Sequence, residues 1–454
     1  MPATHPVPLI ASHQLVIFLL QCGTLLLLAY VLGRLALRMM MPAIVGELCA
    51  GVLAGPSVLA HLAPSVSAWL LPRDPAQLHL LDAVGQIGVL LLVGITGIQM
   101  DLGLLRRKAV PAVAVGIGGL IVPLGAGVGV GLLLPAVLVP AHADRGTFAL
   151  FVGVAIGVSA LPVIAKTLFD LGLLRHEIGQ LILSAVSVDD TLGWLLLAVV
   201  SAMAAGQVSA AGIGRIVGGV ALVFAAAIAA RPLVRTSLQA AGRRPDSGPT
   251  AALVIIMVLL AAAGSQALGL EAVFGAFVCG LIISSCGGVD RVRLAPLRVT
   301  VLSVLAPLYF ATAGLRMDLT ALARPAVLLA GVVILAVAVI TKFAGAYAGA
   351  RLSRLGHWQA LALGAGLNSR GVVEIIVATV GLQLGLLSQA MFTIIVLVAI
   401  ATSLMAPPLL RRAAARIGWT ADDLAHTDLQ GEQVPQQDPA ATMIMGHTPG
   451  ENRG

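Results

Sequence analysis

Runs of about twenty apolar residues recur along most of the chain, and this repetition constrains the fold more than any other feature. The 454 residues are 59% hydrophobic and 10% charged, whereas soluble domains carry roughly a quarter charged residues. An apolar helix of about twenty residues matches a hydrocarbon core of about 30 Å. Helices also satisfy their own backbone hydrogen bonds, which lipid cannot do. The sequence therefore predicts an all-α integral membrane protein that is embedded in the lipid bilayer.

About thirteen transmembrane helices are predicted from apolar runs that are bounded by charged residues, Pro and Gly. The predicted spans are 15–33, 42–59, 82–100, 109–134, 146–168, 178–203, 213–230, 250–267, 270–286, 299–316, 323–350, 358–382 and 389–410.

The positive charges of the predicted loops favour one orientation. Most Lys and Arg fall in the loops of one side, for example Arg351, Arg354, Arg411 and Arg412, and fewer fall on the other. Because basic loops are retained in the cytoplasm, we expect the N-terminus outside and the C-terminus in the cytoplasm of a cell membrane, plasma or inner. This topology accounts for the basic residues without nucleic acid. Residues 417–454 are polar and are predicted to form a disordered cytoplasmic tail.

Two pairs of segments resemble each other at similar sequence offsets. Residues 97–102 (GIQMDL) resemble 314–319 (GLRMDL), and 47–55 resemble 271–280. The matches pair the second span with the ninth and the third with the tenth. The two copies are thus seven spans apart, and because this number is odd, one copy is inverted relative to the other. We therefore predict inverted structural repeats, which are typical of secondary transporters. Chance similarity among glycine-rich helices is the alternative.

The same pairing relates the fifth span to the twelfth, and both contain helix-breaking sequence. These are residues 157–162 (GVSALP) and 364–371 (GAGLNSRG). Pro162 lacks an N–H and frees a carbonyl one turn earlier, near Val158. Helices interrupted at matched positions indicate a transport site. Kinks that only improve packing are the alternative.

Charged residues inside the predicted spans are candidates for function, because they are costly in lipid. Asp189 and Asp190 lie about twelve residues into their span, roughly 18 Å deep at 1.5 Å per residue. Adjacent helical side chains diverge by about 100°, so one carboxylate can face a cavity while the other contacts a neighbouring helix. Lys342 is the predicted partner of one of them. The alternative to a functional role is that both aspartates are paired in a static bridge.

Arg370 and Glu374 are four residues apart, on one helical face, and are predicted to pair. We interpret them as support or gating groups, with direct ion contact as the alternative. Glu47 and Pro162 are assigned to the same supporting role. For Glu47, helix-end anchoring is the alternative.

Several fragments, in this order and spacing, resemble the monovalent cation:proton antiporter-2 family of the sodium/proton exchanger superfamily. They include 46–57 (GELCAGVLAGPS), 187–190 (SVDD), 341–345 (TKFAG) and 368–374 (NSRGVVE), and the resemblance covers roughly residues 15–410. The last fragment is similar to spore-germination and plant CHX-like exchangers.

The resemblance implies a sodium/proton antiporter fold in which the fifth and twelfth spans cross. Residues 1–416 would then be the transmembrane exchanger domain, a homodimer with a dimerisation scaffold and a core that contains the fifth, sixth, twelfth and thirteenth spans. The resemblance implies that Asp190 carries the Na⁺ or K⁺ and the proton, and that Asp189 bridges to Lys342. Oxygens of three further residues would complete the coordination: Val158, Ser159 and Asn368.

The predicted function is secondary active antiport of Na⁺ or K⁺ for protons by alternating access, with both competing for a midplane aspartate. The chain is thus interpreted as a transporter and not an enzyme, with no cofactor and no nucleotide, since the ions are its substrates. A cation channel or an organic-solute transporter on the same fold, or a non-transporting membrane sensor, are the alternatives. An intramembrane aspartyl protease is disfavoured, because such enzymes need two aspartates on separate helices, whereas Asp189 and Asp190 are adjacent on one helix.

Overall fold

The computed structural model describes residues 11–39, 41–71, 75–100, 109–171, 173, 176–204, 210–243, 246–286 and 292–417. The regular elements of these residues are helices. The predicted tail lies outside the described residues, apart from residue 417, and so does the side chain of Pro162.

The helices of the first half are α1 (Ser12–Arg38), α2 (Ala43–Ala54), α3 (Leu59–Leu62), α4 (Pro64–Leu70), α5 (Pro75–Gln99), α6 (Ala109–Leu133), α7 (Arg145–Gly157), α8 (Leu161–Asp170) and α9 (Glu177–Ala204). Those of the second half are α10 (Ala210–Gly242), α11 (Gly248–Ala267), α12 (Ala272–Ser285), α13 (Ala295–Thr300), α14 (Ala306–Leu315), α15 (Pro325–Leu352), α16 (His357–Leu367), α17 (Val372–Gln383) and α18 (Gln389–Arg416). A π-helical turn, Val301–Leu305, joins α13 to α14 in one span.

Among the described residues, ten helices are long and apolar enough to cross a membrane, and the bent pair α16–α17 brings the number to eleven. These eleven confirm the all-α membrane architecture and correspond to eleven of the predicted spans. The other two predicted spans fall on shorter helices. Helix α7 ends at Gly157, where the backbone becomes extended. Helix α12 has 14 residues, about 21 Å at 1.5 Å per residue.

Close glycine contacts pair helices of the two halves. A methyl group on Gly51 of α2 would clash with the carbonyl oxygen of Ala311 in α14. A methyl group on Gly280 of α12 would clash with the carbonyl oxygen of Gly94 in α5. The predicted repeat relates α2 to α12 and α5 to the α13–α14 span, so these two helix pairs are counterparts. This packing agrees with the inverted arrangement of the two copies.

The two interrupted helices cross at their breaks. The backbone N–H of Ala160, between α7 and α8, donates to the carbonyl of Ser369, between α16 and α17, at 3.1 Å. The hydroxyl of Ser159 donates to the carbonyl of Leu367 at 2.7 Å. Backbone groups that each break frees are therefore satisfied by the other break, as buried backbone groups require. The predicted crossing of the fifth and twelfth spans is present.

Gly371 gives the second break its shape. Its φ of 144° lies in a region that side chains rarely adopt, and α17 starts at the next residue. The helix axes on the two sides of the break differ by 44°. The predicted break thus depends on glycine at this position.

Candidate ion-binding site

Asp189 is fully paired by groups from two neighbouring elements. Its Oδ2 accepts a hydrogen bond from the backbone N–H of Ser159 at 2.8 Å. The Nζ of Lys342 in α15 lies 3.1 Å from Oδ1 and 3.0 Å from Oδ2. Lys342 also donates to the carbonyl of Gly157, at the end of α7. The helix break thus supplies an N–H and a carbonyl that hold the Asp189–Lys342 pair in place.

Asp190, the next residue of α9, contacts neither the Ser159 N–H nor the Lys342 amine through a hydrogen bond. Its side chain is 0% exposed, and neither carboxyl oxygen has a hydrogen-bond partner among the described residues. An ionised carboxylate in such surroundings is strongly destabilising unless it is paired. A proton or a bound cation on the Asp190 carboxyl would remove this cost.

The first helix break packs against the face of α9 that carries Asp190. The side chain of Val158 packs against Gly193, where an added methyl group would lie 2.8 Å from it. Gly193 lies three residues after Asp190, on the same face of α9. Pro162 is the second residue of α8 and has no N–H for the Val158 carbonyl.

The second break contributes unpartnered polar side chains. Asn368 is 0% exposed, and neither atom of its amide has a hydrogen-bond partner in the described part of the chain. The Ser369 hydroxyl is buried and unpartnered in the same way. Helix α9 packs against both α16 and α17, the helices on the two sides of this break. Ser369 was not singled out from sequence, although it lies inside the predicted break at 364–371.

Arg370 and Glu374 form the predicted pair, with Nη1 and Oε1 3.5 Å apart and both side chains buried. Arg370 also donates to the carbonyl of Ala338 in α15 at 3.1 Å. The hydroxyl of Ser403 in α18 donates to the Arg370 carbonyl. Three helices therefore meet at this residue, and the contributions of Ala338 and Ser403 gave no signal in the sequence.

Glu47 lies apart from the residues around the two helix breaks. It is in α2, and its Cγ is 3.7 Å from the position of a methyl group on Gly33 of α1. The structure brings Ser159 to Asp189 and to Leu367, the residue before Asn368, and it leaves Glu47 in α2, against α1.

The buried charges do not balance. Five charged residues of the described chain are buried: the carboxyl groups of Asp189, Asp190 and Glu374 and the basic groups of Lys342 and Arg370. Three acids and two bases leave one negative charge. One proton or one monovalent cation would neutralise it, and a divalent cation would overcompensate.

Two broken helices that cross beside buried carboxylates, within a helical membrane protein, define the class of inverted-repeat membrane transporters. The chain belongs to the sodium/hydrogen exchanger family, because the description of that family's transmembrane region matches residues 23–415. The resemblance predicted from the sequence motifs is thereby confirmed.

Individual relatives agree with this assignment. The Na(+)/H(+) antiporter NhaS4 of Synechocystis is 29% identical over 401 residues, which are 88% of this chain and 97% of that protein. The cation/H(+) antiporter 19 of Arabidopsis thaliana is 29% identical over 388 residues, which are 84% of this chain. The chain spans 47% of the length of that plant relative.

The structure of the sodium proton antiporter MjNhaP1 from Methanocaldococcus jannaschii has the same fold. It superimposes with a TM-score of 0.68 at 17% identity and covers 88% of this chain and 99% of the other. The predicted sodium/proton antiporter fold is confirmed by this match.

Proposed function

We propose that this chain exchanges Na⁺ or K⁺ for protons and that Asp190 is the residue at which the two compete. The observation that carries the proposal is the difference between two adjacent carboxyl groups. Asp189 accepts a backbone N–H and contacts Lys342, whereas both oxygens of Asp190 are buried without a partner. Asp190 is therefore the carboxyl group that needs a neutralising ligand.

Competition follows from the charge of the buried cluster. With one uncompensated negative charge, the site is neutral when it holds one proton or one alkali cation. Holding both would leave an unpaired positive charge among buried side chains, which is strongly disfavoured. The two ligands should therefore exclude each other, which is what antiport at a single site requires.

The remaining groups suit a hard monovalent cation. Carbonyl, hydroxyl and carboxylate oxygens are the ligands that alkali and alkaline-earth cations prefer over thiolate or imidazole. The proposed additional ligands are the carbonyl of Val158, the hydroxyl of Ser159 and the amide oxygen of Asn368. The Ser159 hydroxyl uses its hydrogen for Leu367, so its lone pairs remain available. The Ser369 hydroxyl is a further proposed ligand, because it is buried and has no hydrogen-bond partner among the described residues.

Alternating access requires the carboxylate cluster to move relative to a support. We assign α7 to α9 and α16 to α18 to a core that carries the cluster, and α2, α5, α12 and α14 to the dimerisation scaffold. Residues 1–416 thus form one exchanger domain, proposed to be a homodimer in the cell membrane with the C-terminus in the cytoplasm. Arg370 and Glu374 support the second break, because they fasten it to α15 and α18.

Inverted membrane vesicles that contain a pH-sensitive dye test this proposal. Addition of Na⁺ or K⁺ should collapse an imposed proton gradient in the wild type, and Asp190→Asn should abolish the response. Asp246→Asn is the matched control, because Asp246 is an exposed carboxylate in a loop, and it should transport like the wild type. Asp190→Asn vesicles that transport at the wild-type rate would overturn the assignment of the site.

A further inference from the structure

A second group of polar side chains lies away from the carboxylate cluster, in a narrow cleft between α5, α14 and α17. The cleft is lined by Asp82, Gln86, Tyr309, Thr312, Arg316, Thr379 and Gln383. We call it the polar cleft. In the predicted topology it is at the outer side of the membrane. Arg316 belongs to the repeated segment 314–319, but the proposed antiport mechanism uses none of these residues.

The charged side chains of the polar cleft are partly exposed. Arg316 and Asp82 form an ion pair in which each side chain is 28% exposed, whereas Lys342 and Asp189 are 0% exposed. A partly hydrated carboxylate can exchange its partner at a far lower cost than a dry one. The Asp82 carboxylate is therefore a group that an entering ion can reach.

The inner wall of the polar cleft presents hydrogen-bond acceptors. The hydroxyl of Thr312 donates to the carbonyl of Leu308 at 2.8 Å, and that of Thr379 donates to the carbonyl of Ile375 at 2.8 Å. Both side chains are buried, at 7% and 5% exposure. Because each hydroxyl uses its only hydrogen within its own helix, its lone pairs are what it can offer to the cleft. Such a lining suits a cation.

One helix joins the polar cleft to the second break. Helix α17 starts after Gly371 and carries Thr379 in the wall of the cleft. Thr379 lies eight positions after Gly371, about 12 Å along the helix at 1.5 Å per residue. The other walls, α5 and α14, belong to the scaffold. The cleft thus lies on the boundary that must open when the core moves against the scaffold.

We propose that the polar cleft is the outer entry site for the monovalent cation, with Asp82 as its carboxylate ligand and Arg316 as a built-in competitor for that ligand. This inference rests on the proposed antiport function. Loss of Arg316 frees the carboxylate, and loss of Asp82 leaves a repelling guanidinium. A unit charge 4 Å from an ion in water changes its occupancy about fivefold, so the two losses should have opposite effects of about that size.

The test uses right-side-out vesicles that contain a pH-sensitive dye, with Na⁺ or K⁺ added outside. The external concentration for half-maximal proton exchange should fall about fivefold in Arg316→Gln and rise about fivefold in Asp82→Asn. The double variant should return towards the wild type. Arg324→Gln is the matched control, since Arg324 is an exposed cation on the same predicted side but outside the cleft.

A second measurement avoids substitutions of the ion pair. In Gln86→Cys, with the four native cysteines replaced, the thiol can be modified after folding by methanethiosulfonate reagents of either charge. A positive adduct should raise the external half-saturating concentration and a negative adduct should lower it. An electrostatic entry site makes this prediction, and a purely structural ion pair does not.

The outcomes separate the two proposals. If both single variants shift half-saturation in the same direction, or lower only the maximal rate, the pair is structural and the entry site is overturned. Shifts that appear in inverted vesicles and not in right-side-out vesicles would overturn it as well. Wild-type protein without cation-dependent proton flux in either orientation would instead refute the antiport function, and the entry site with it.

Discussion

Removal of the Lys342 amine should destabilise the protein severely, and the loss should be largely recovered by a second substitution. In Lys342→Met the side-chain length is kept, but both contacts to Asp189 are lost, together with the bond to the Gly157 carbonyl. Both partners are 0% exposed. Breaking a buried pair by removal of one partner costs about 3–5 kcal/mol, because it strands a desolvated charge.

The double variant Asp189→Asn/Lys342→Met removes that charge. Asparagine can still accept the Ser159 N–H through its amide oxygen. Replacement of both members of a buried pair is often close to neutral, so we expect the double variant to be more stable than Lys342→Met by at least about 2 kcal/mol. Asp189→Asn alone should also be less stable than the double variant, since it leaves the lysine without a carboxylate.

The assay is unfolding of the purified protein in mixed micelles, followed by the fluorescence of its four tryptophans. A double-mutant cycle from the four proteins gives the coupling free energy directly. A double variant that is less stable than either single variant would refute the reasoning, because the effects would then come from packing and not from a stranded charge.

Two further predictions concern the ends of the broken helices. Gly371→Ala places a methyl group 2.9 Å from Val163 at a φ of 144°, so it should cost about 1–3 kcal/mol of strain and abolish transport. The control Gly264→Ala meets nothing within 4 Å and should affect neither stability nor transport. Unchanged flux in Gly371→Ala would contradict the role of the break. The N-cap of α7 gives a pH dependence: a hydrogen bond from the Thr147 backbone N–H lowers the pKa of Asp144. The capping carboxylate therefore stabilises above its unfolded pKa of about 4, and this stability disappears as the pH falls through the lowered folded value. The difference in denaturation midpoint between wild type and Asp144→Ala should shrink over that acid range, and a difference that stays constant would argue against the cap.

Features that depend on local sequence were predictable. The spans follow from apolar length, and the two breaks follow from glycine, proline and polar residues at positions where a helix would otherwise continue. The pairing of Arg370 with Glu374 also follows from a helical spacing of four. The fifth span is interrupted after Gly157, at the predicted break. The ninth span is shortened to α12, Ala272–Ser285, because apolar composition does not show where a helix inside a protein core ends.

The roles of the two adjacent aspartates could not be derived in this way. Helical geometry requires that Asp189 and Asp190 point in different directions, but it does not say which one meets Lys342. The structure places Lys342 of α15 and the N–H of Ser159 on the side of Asp189. That choice depends on how three helices pack.

The sequence by itself determined that this chain is a helical membrane protein with two interrupted spans and costly charges at their depth, because these properties depend on residue type and local spacing. Only the tertiary structure decided which carboxyl group has no partner among the described residues and which polar groups meet between α5, α14 and α17. Asp82 and Arg316 are 234 positions apart, and no local pattern relates them. The physical reason is that an ion pair needs two side chains within a few ångströms, and for distant residues that separation is set by the packing of the whole bundle.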